Sequence, residues 1–192
     1  MAPARRITAP IHTRLALGPG GGALIHVVED GLLRPVAITA DGREFGLGLL
    51  GPGQAFLQPD GEARPGLGFY VEALEDSRCL VFTRAELPEL PARDPQAAAQ
   101  LLQALSGGVA DLSELCASLC LEAAPERLLR LLRRLAERHG TREAGAVRLR
   151  LRQQDLALMA GLCRETVNAT LHALAAAGRV RLGRQSIWVP TP

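Results

Sequence analysis

The chain has 192 residues, 47% of them hydrophobic and 22% charged, with a formal net charge of +2. This is the composition of an ordinary globular protein, long enough for one large domain or two small ones. No apolar run approaches the roughly 18 residues that span a bilayer. No continuous apolar core follows the arginines of "MAPARRITAPIHTRLALGPGGG". Neither a membrane partner nor a signal peptide is therefore expected, and the cytoplasm is the expected location.

All 22 basic residues are arginine. Residues 1–94 carry 9 Arg against 12 Asp plus Glu, net −3, whereas residues 95–192 carry 13 against 8, net +5. The excess falls within 142–192, with 8 Arg against 3 acids. A basic C-terminal segment points to a polyanion partner, and a solvated basic face is the alternative.

Residues 24–90 read as β. "ALIHVVEDGLLRPVAIT" holds two short apolar runs around Asp30-Gly31, and Asp41-Gly42 is a hairpin signal. Gly/Pro turn clusters then alternate with the strand patterns "FYVEAL" and "RCLVFT". Short strands at near-regular spacing predict a small barrel or jelly roll.

After "LPELPARDP" the character changes to helix, free of proline from Ala97 to about Leu121. Leu101, Leu105, Val109, Leu112, Cys116 and Leu119 follow at spacings of 4, 4, 3, 4 and 3, a near-heptad seam suited to pairing with a second copy. The alternative is a helix packed only within its own chain. Gly107-Gly108, in the middle of this run, costs helix propensity and marks a kink or a close backbone approach.

"APERLLRLLRRLAERHG" is a second helix, started by Pro125 and stopped by Gly140. "TREAGAVRLRL" reads as a loop leading into a strand, and "RQQDLALMAGL" as a short helix broken at Gly161. In "LCRETVNATLHALAAAGRV", Val167, Leu171 and Leu174 form the buried stripe of a further helix. Arg164, Glu165, Thr166 and Asn168 stand clear of that stripe. "RVRLGRQSIWV" supplies two short strands around Gly183-Arg184-Gln185. Helix, glycine turn, helix and β-hairpin outline a winged helix-turn-helix. The fold class expected is thus α+β.

The pattern Gln154-Asp155-Leu156-Ala157, Gly161 at the turn, then Arg164-Glu165-Thr166-Val167 resembles the C-terminal domain of the CRP/FNR family of bacterial transcription regulators. The resemblance extends back over roughly residues 24–189, most weakly in the β part. It implies a cyclic-nucleotide-binding-like jelly roll over 1–92, a dimerisation helix over 93–121 and a winged helix-turn-helix over 122–192. It also implies a homodimer on double-stranded DNA, with RNA polymerase as a further partner. In that arrangement Arg164 would donate a fork to guanine, Glu165 would accept from cytosine N4, and Asn168 would address adenine. Thr166, Arg152, Gln153, Arg181 and Arg184 would hold phosphates.

Some features depart from the family pattern. Nucleotide-binding members cradle the phosphate with Gly-Glu-Leu followed by Arg-Ser or Arg-Thr, whereas here Gly61-Glu62 is followed by no such pair and Arg64 precedes a proline. The adenine-contacting Thr-Ser of the dimer helix appears as Leu112-Ser113. Control by cyclic AMP is therefore not expected, and the shorter N-terminal part implies missing strands and a reduced pocket. The N-terminal cysteine cluster of the oxygen-sensing branch is absent, since no cysteine precedes Cys79. Ala169 stands where family members often carry a second arginine, which alters the expected target sequence. No cofactor or metal is expected: Cys79, Cys116, Cys120 and Cys163 contain no CxxC pair. His12, His26, His139 and His172 are dispersed and read as surface or packing residues, so no enzyme is expected. A small-molecule or thiol-based redox sensor, relaying an unidentified effector signal to the DNA-binding part, is the alternative function. Cys116, on the seam, is its candidate thiol.

Overall fold

A computed structural model describes residues 5–15, 24–59 and 66–190. Gly61, Glu62 and Arg64 of the degenerate phosphate cradle lie outside the described residues. The chain divides into two compact units, Met1–Glu114 and Leu115–Pro192.

Eight strands build the first unit: β1 (Arg5–Ala9), β2 (Arg14–Leu15), β3 (Leu24–Asp30), β4 (Leu33–Thr39), β5 (Glu44–Gly46), β6 (Ala55–Gln58), β7 (Leu67–Ala73) and β8 (Ser77–Thr83). They form two antiparallel sheets, ordered β1-β8-β3-β6 and β2-β7-β4-β5. Ala9, Leu24, Val28, Phe56, Cys79 and Val81 of the first sheet share one core with Leu33, Val71 and Ala73 of the second. The two sheets therefore face each other as a double-layered roll. The Asp41-Gly42 signal forms the β4–β5 turn, with Ile38 opposite Glu44. β1 and β2 precede the β region expected from sequence. Their two-to-five-residue length and exposed arginines give little alternating signal, yet β1 pairs with β8 along its whole length.

A 3₁₀ turn over Arg84–Glu89 and α1 (Leu90–Arg93) lead into α2 (Pro95–Leu121). Leu101, Ala104 and Leu105 of α2 pack on Ile25, Val27, Ala55 and Phe82, the outer side of the first sheet. α2 is continuous through Gly107-Gly108. Of the two sequence alternatives for that pair, the close approach is the one found: a Cβ on Gly108 would lie 3.2 Å from the Ala55 carbonyl oxygen.

The absence of an unbroken apolar run misjudged α2 in one respect. Its 27 residues include an 18-residue window of mean hydropathy 1.3, long and apolar enough by composition to cross a membrane. Ala, Gly and Leu raise the average while Gln, Ser, Asp111 and Glu114 interrupt the runs.

In the second unit α3 (Ala124–His139), α4 (Gln153–Ala160) and α5 (Arg164–Ala176) pack on a sheet ordered β11-β12-β10-β9. Its strands are β9 (Thr141–Glu143), β10 (Ala146–Leu149), β11 (Arg181–Gly183) and β12 (Ser186–Pro190). The segment read as a loop before β10 is itself the edge strand β9, three exposed residues paired antiparallel with β10. Leu128, Leu132, Leu156, Met159, Val167 and Leu171 are its most deeply buried helical side chains. The Arg127 guanidinium donates to the carbonyl of Ala160 at 2.8 Å and to that of Glu122 at 3.0 Å, tying α3 to the end of α4.

Candidate nucleic-acid interface

Gly161 closes α4 in the left-handed region (φ 61°), where glycine avoids the Cβ cost other residues incur. Its geometry lets the chain reverse within three residues and start α5 at Arg164. Val167 and Leu171 are buried, whereas Arg164, Glu165 and Asn168 of the same helix are exposed. Thr166 is half-buried, and its hydroxyl lies 3.0 Å from the Cys163 thiol in a hydrogen bond that either can donate. The Glu165 carboxyl is held below the usual range, first by a hydrogen bond from its own amide and next by the Cys163 thiol. It is thus an ionised acceptor at neutral pH, placed where the helix dipole favours negative charge. Gln153 donates to the Asn168 amide oxygen at 3.1 Å and so links α4 to the exposed side of α5.

Arg152, expected at a phosphate, has a local partner. Its Nε and Nη2 donate to the Asp155 carboxylate at 3.0 and 3.1 Å, and its backbone amide donates there at 3.1 Å. Asp155 is buried, so Arg152 neutralises it while closing the first turn of α4. The three-residue spacing carried this signal, but an arginine in the capping position disguises it. Arg152 nevertheless borders a cleft of about 420 Å³ between the starts of α4 and α5 and the β11–β12 wing. Leu171, Leu182 and Ile187 give the cleft an apolar floor, while Arg152, Gln153, Arg164 and Gln185 stand around it.

The two wing arginines part company. Arg184 is exposed in the two-residue turn between Gly183 and Ser186. Arg181 does not share the cleft face: Leu182 lines the cleft, and strand alternation turns Arg181 to the other side. There its guanidinium sits 4.0 Å above the centre of the Trp188 ring, its cross-strand neighbour. Sequence reasoning missed Trp188: the hairpin was expected, but not the register that sets Trp188 opposite Arg181.

The proposed seam residues also sort in the structure. Leu101 is only 7% exposed and belongs to the core with Ile25 and Ala55. It is therefore corrected from a seam position to an intrachain one. Its neighbour Leu102 is 68% exposed and Val109 is 65% exposed. Leu102, Leu105, Val109, Leu112, Cys116 and Leu119 follow at 3, 4, 3, 4 and 3. The irregular first step of the sequence reading thus disappears, since Leu102 stands three residues from Leu105 where Leu101 stood four. Leu105, Leu112 and Leu119 are half-buried, and Cys116 is exposed.

Residues 126–192 match the family model of the Crp-like helix-turn-helix domain. The chain is 31% identical over 184 residues to a CRP-like cAMP-activated global transcriptional regulator of Mycobacterium tuberculosis, covering 93% of this chain and 80% of that one. It is equally 31% identical to a cyclic AMP receptor protein of Thermus thermophilus, over 88% of this chain and 76% of that one. Its fold superposes with a TM-score of 0.74 on a CRP/FNR-family transcriptional regulator of Thermus thermophilus, at 28% identity, covering 97% of this chain and 94% of the other.

Proposed function

The chain belongs to the CRP/FNR family, which is made up of transcription regulators rather than enzymes, and from that premise we propose a cytoplasmic homodimer that reads a pseudo-palindromic DNA site. The observation that carries this reading is the exposed set Arg164, Glu165 and Asn168 on α5, beside the buried stripe of Val167 and Leu171. In the major groove Arg164 forks onto guanine and the ionised Glu165 accepts from cytosine N4. Asn168, braced by Gln153, addresses adenine. Thr166, Gln153, Arg152 and Arg184 lie around the cleft and α5 and take backbone phosphates, which set register without carrying sequence information. Arg181, stacked on Trp188, supports the wing from its other face.

Residues 93–121 supply the dimer seam through Leu102, Leu105, Val109, Leu112, Cys116 and Leu119. Residues 1–92 form an effector-like part and 122–192 the DNA-binding part, which recruits or excludes RNA polymerase. DNA binding does not depend on cyclic AMP. Besides the missing Arg-Ser pair, the Ser113 hydroxyl on α2 already donates to the Val109 carbonyl at 2.9 Å. A thiol-based redox input is a second reading, favoured by the exposure of the Cys116 thiol at a seam position.

The test is selection from random duplexes followed by titrations at two salt concentrations. The selected site should be an inverted repeat with half-sites about 34 Å apart. Arg164→Ala and Glu165→Ala should each cost roughly 1–3 kcal/mol at particular base pairs. Arg184→Ala should weaken all duplexes alike and reduce the salt slope by about one. Unchanged sequence preference in the Arg164 and Glu165 variants would refute the role given to α5.

A further inference from the structure

The outer face of the second unit's sheet carries a connected set of side chains that DNA reading, as described above, leaves unused. Trp188 stands at its centre, with Arg148 of β10 and Arg181 of β11 as its cross-strand neighbours. The indole Nε1–H donates to one carboxylate oxygen of Glu143 at 2.6 Å. The other oxygen of Glu143 takes the Arg148 guanidinium at 3.0 Å. Glu143 thereby fixes the indole edge while its charge is balanced by Arg148, with both side chains partly shielded from solvent.

The indole is restrained at two further places. Arg181 lies over its face. Its far end lies on Gly183, where a Cβ would stand 2.6 Å from the ring carbon Cζ3. Gly183 is the residue from which the chain enters the Arg184-Gln185 turn, and Gln185 holds a positive φ of 54° there. A tight two-residue turn transmits the placement of its first flanking residue directly to the next side chain. Glu143 of β9 and Arg181 and Gly183 of β11 thus converge on one ring, and that ring rests on the backbone at the foot of Arg184.

We propose that Glu143 and Trp188 are positioning residues for DNA binding: the Glu143 carboxylate, acting through the Trp188 indole, holds the wing turn that presents Arg184. This inference rests on the DNA-reading function above. It adds a dependence of the phosphate contact on a carboxylate 41 residues away in the chain, on a different hairpin. An acidic residue near a polyanion should ordinarily hinder binding, so removing Glu143 would be expected to help. Here the placement it provides outweighs the repulsion, and the sign of the effect reverses.

The experiment titrates the selected duplex, and a duplex with one altered half-site, with the full chain and its Glu143→Ala, Glu143→Gln, Trp188→Phe and Glu143→Ala/Trp188→Phe variants. Glu143→Ala and Trp188→Phe each break the same link, so each should lose about 3- to 10-fold on both duplexes, the net worth of about one hydrogen bond. The double variant should be no weaker than either single one, because coupled residues do not add. Glu143→Gln keeps an acceptor for the indole and should stay within about twofold of the parent. Hydrogen exchange should quicken at residues 183–186 and stay unchanged in α5. Unchanged or tighter binding by Glu143→Ala, additive losses in the double variant, or equal quickening in α5 would each overturn the inference. Failure of the parent chain to bind any selected duplex would instead refute DNA reading itself.

Discussion

Leu101 and Leu102 are neighbours with opposite fates, and that makes the dimer seam testable. Fully burying a leucine or valine side chain is worth roughly 1.5–3 kcal/mol. Leu102 and Val109 are 68% and 65% exposed in the single chain. Each therefore has about two-thirds of that left to gain, roughly 1–2 kcal/mol. A two-fold seam uses each position twice, so Leu102→Glu/Val109→Glu removes roughly 4–8 kcal/mol of association free energy, before repulsion between the new charges. At about 1.4 kcal/mol per tenfold, the dimer dissociation constant rises by at least roughly 10³. Sedimentation velocity should show a folded monomer, and affinity for the inverted repeat should collapse with it. Leu101→Ala should do the reverse. It opens a cavity beside Ile25 and Ala55 and should cost roughly 2–5 kcal/mol of stability, with the mass in solution unchanged. A Leu102/Val109 variant that sediments as the parent dimer does, or a monomeric Leu101→Ala of undiminished stability, would refute the assignment of faces on α2.

Three further outcomes are expected. Titration calorimetry with cyclic AMP should give no saturable heat, and the nucleotide should leave operator affinity unchanged; micromolar binding coupled to tighter operator binding would contradict this. His26 should make stability pH-dependent. Burial lowers its pKa, so the unfolded chain takes up a proton first and stability is lost as pH falls below about 6.5, by at most about 1.4 kcal/mol per pH unit. Denaturant titrations of the parent and His26→Gln from about pH 8 to 5 should diverge over that range, and parallel curves would exclude the effect. Mild oxidation should yield a covalent dimer on non-reducing electrophoresis that Cys116→Ser cannot form, whereas an identical pattern from both proteins would remove the thiol input.

Features with a local period or a fixed spacing were legible from sequence. Val167, Leu171 and Leu174 marked the buried stripe of α5, Gly161 the turn before it, and Asp41-Gly42 a hairpin. Contacts across long sequence separations were not. His26 shows this: its neighbours in sequence are apolar, yet its Nε2 lies 3.1 Å from Gln58 Oε1, and Gln58 Nε2 in turn donates to the Phe69 carbonyl at 2.8 Å. Because Gln58 presents its oxygen, the ring must donate from Nε2, which leaves Nδ1 as a buried lone pair without an acceptor's partner. Burial is why protonation is resisted, against the Gln58 hydrogen bond that favours the charged ring, and only the sheet pairing brings the two residues together. Likewise Glu143 reaches Trp188 across a sheet, and the choice between Leu101 and Leu102 depends on where α2 lies against β3 and β6. Spacing along a helix defines a stripe but does not say which of two adjacent leucines the sheet will take.

The chain has one tryptophan and one tyrosine, and each unit contains one of them. Tyr70 lies in the roll, its hydroxyl donating to Glu44 at 2.7 Å, while Trp188 lies in the sheet of the second unit. Indole absorbs at longer wavelengths than phenol, so Trp188 can be excited without Tyr70. The protein is therefore labelled by its own composition: emission from Trp188 follows the second unit and tyrosine absorbance follows the first. Coincident or separate melting of the two signals would reveal whether the units unfold as one cooperative body or independently, with no foreign probe attached.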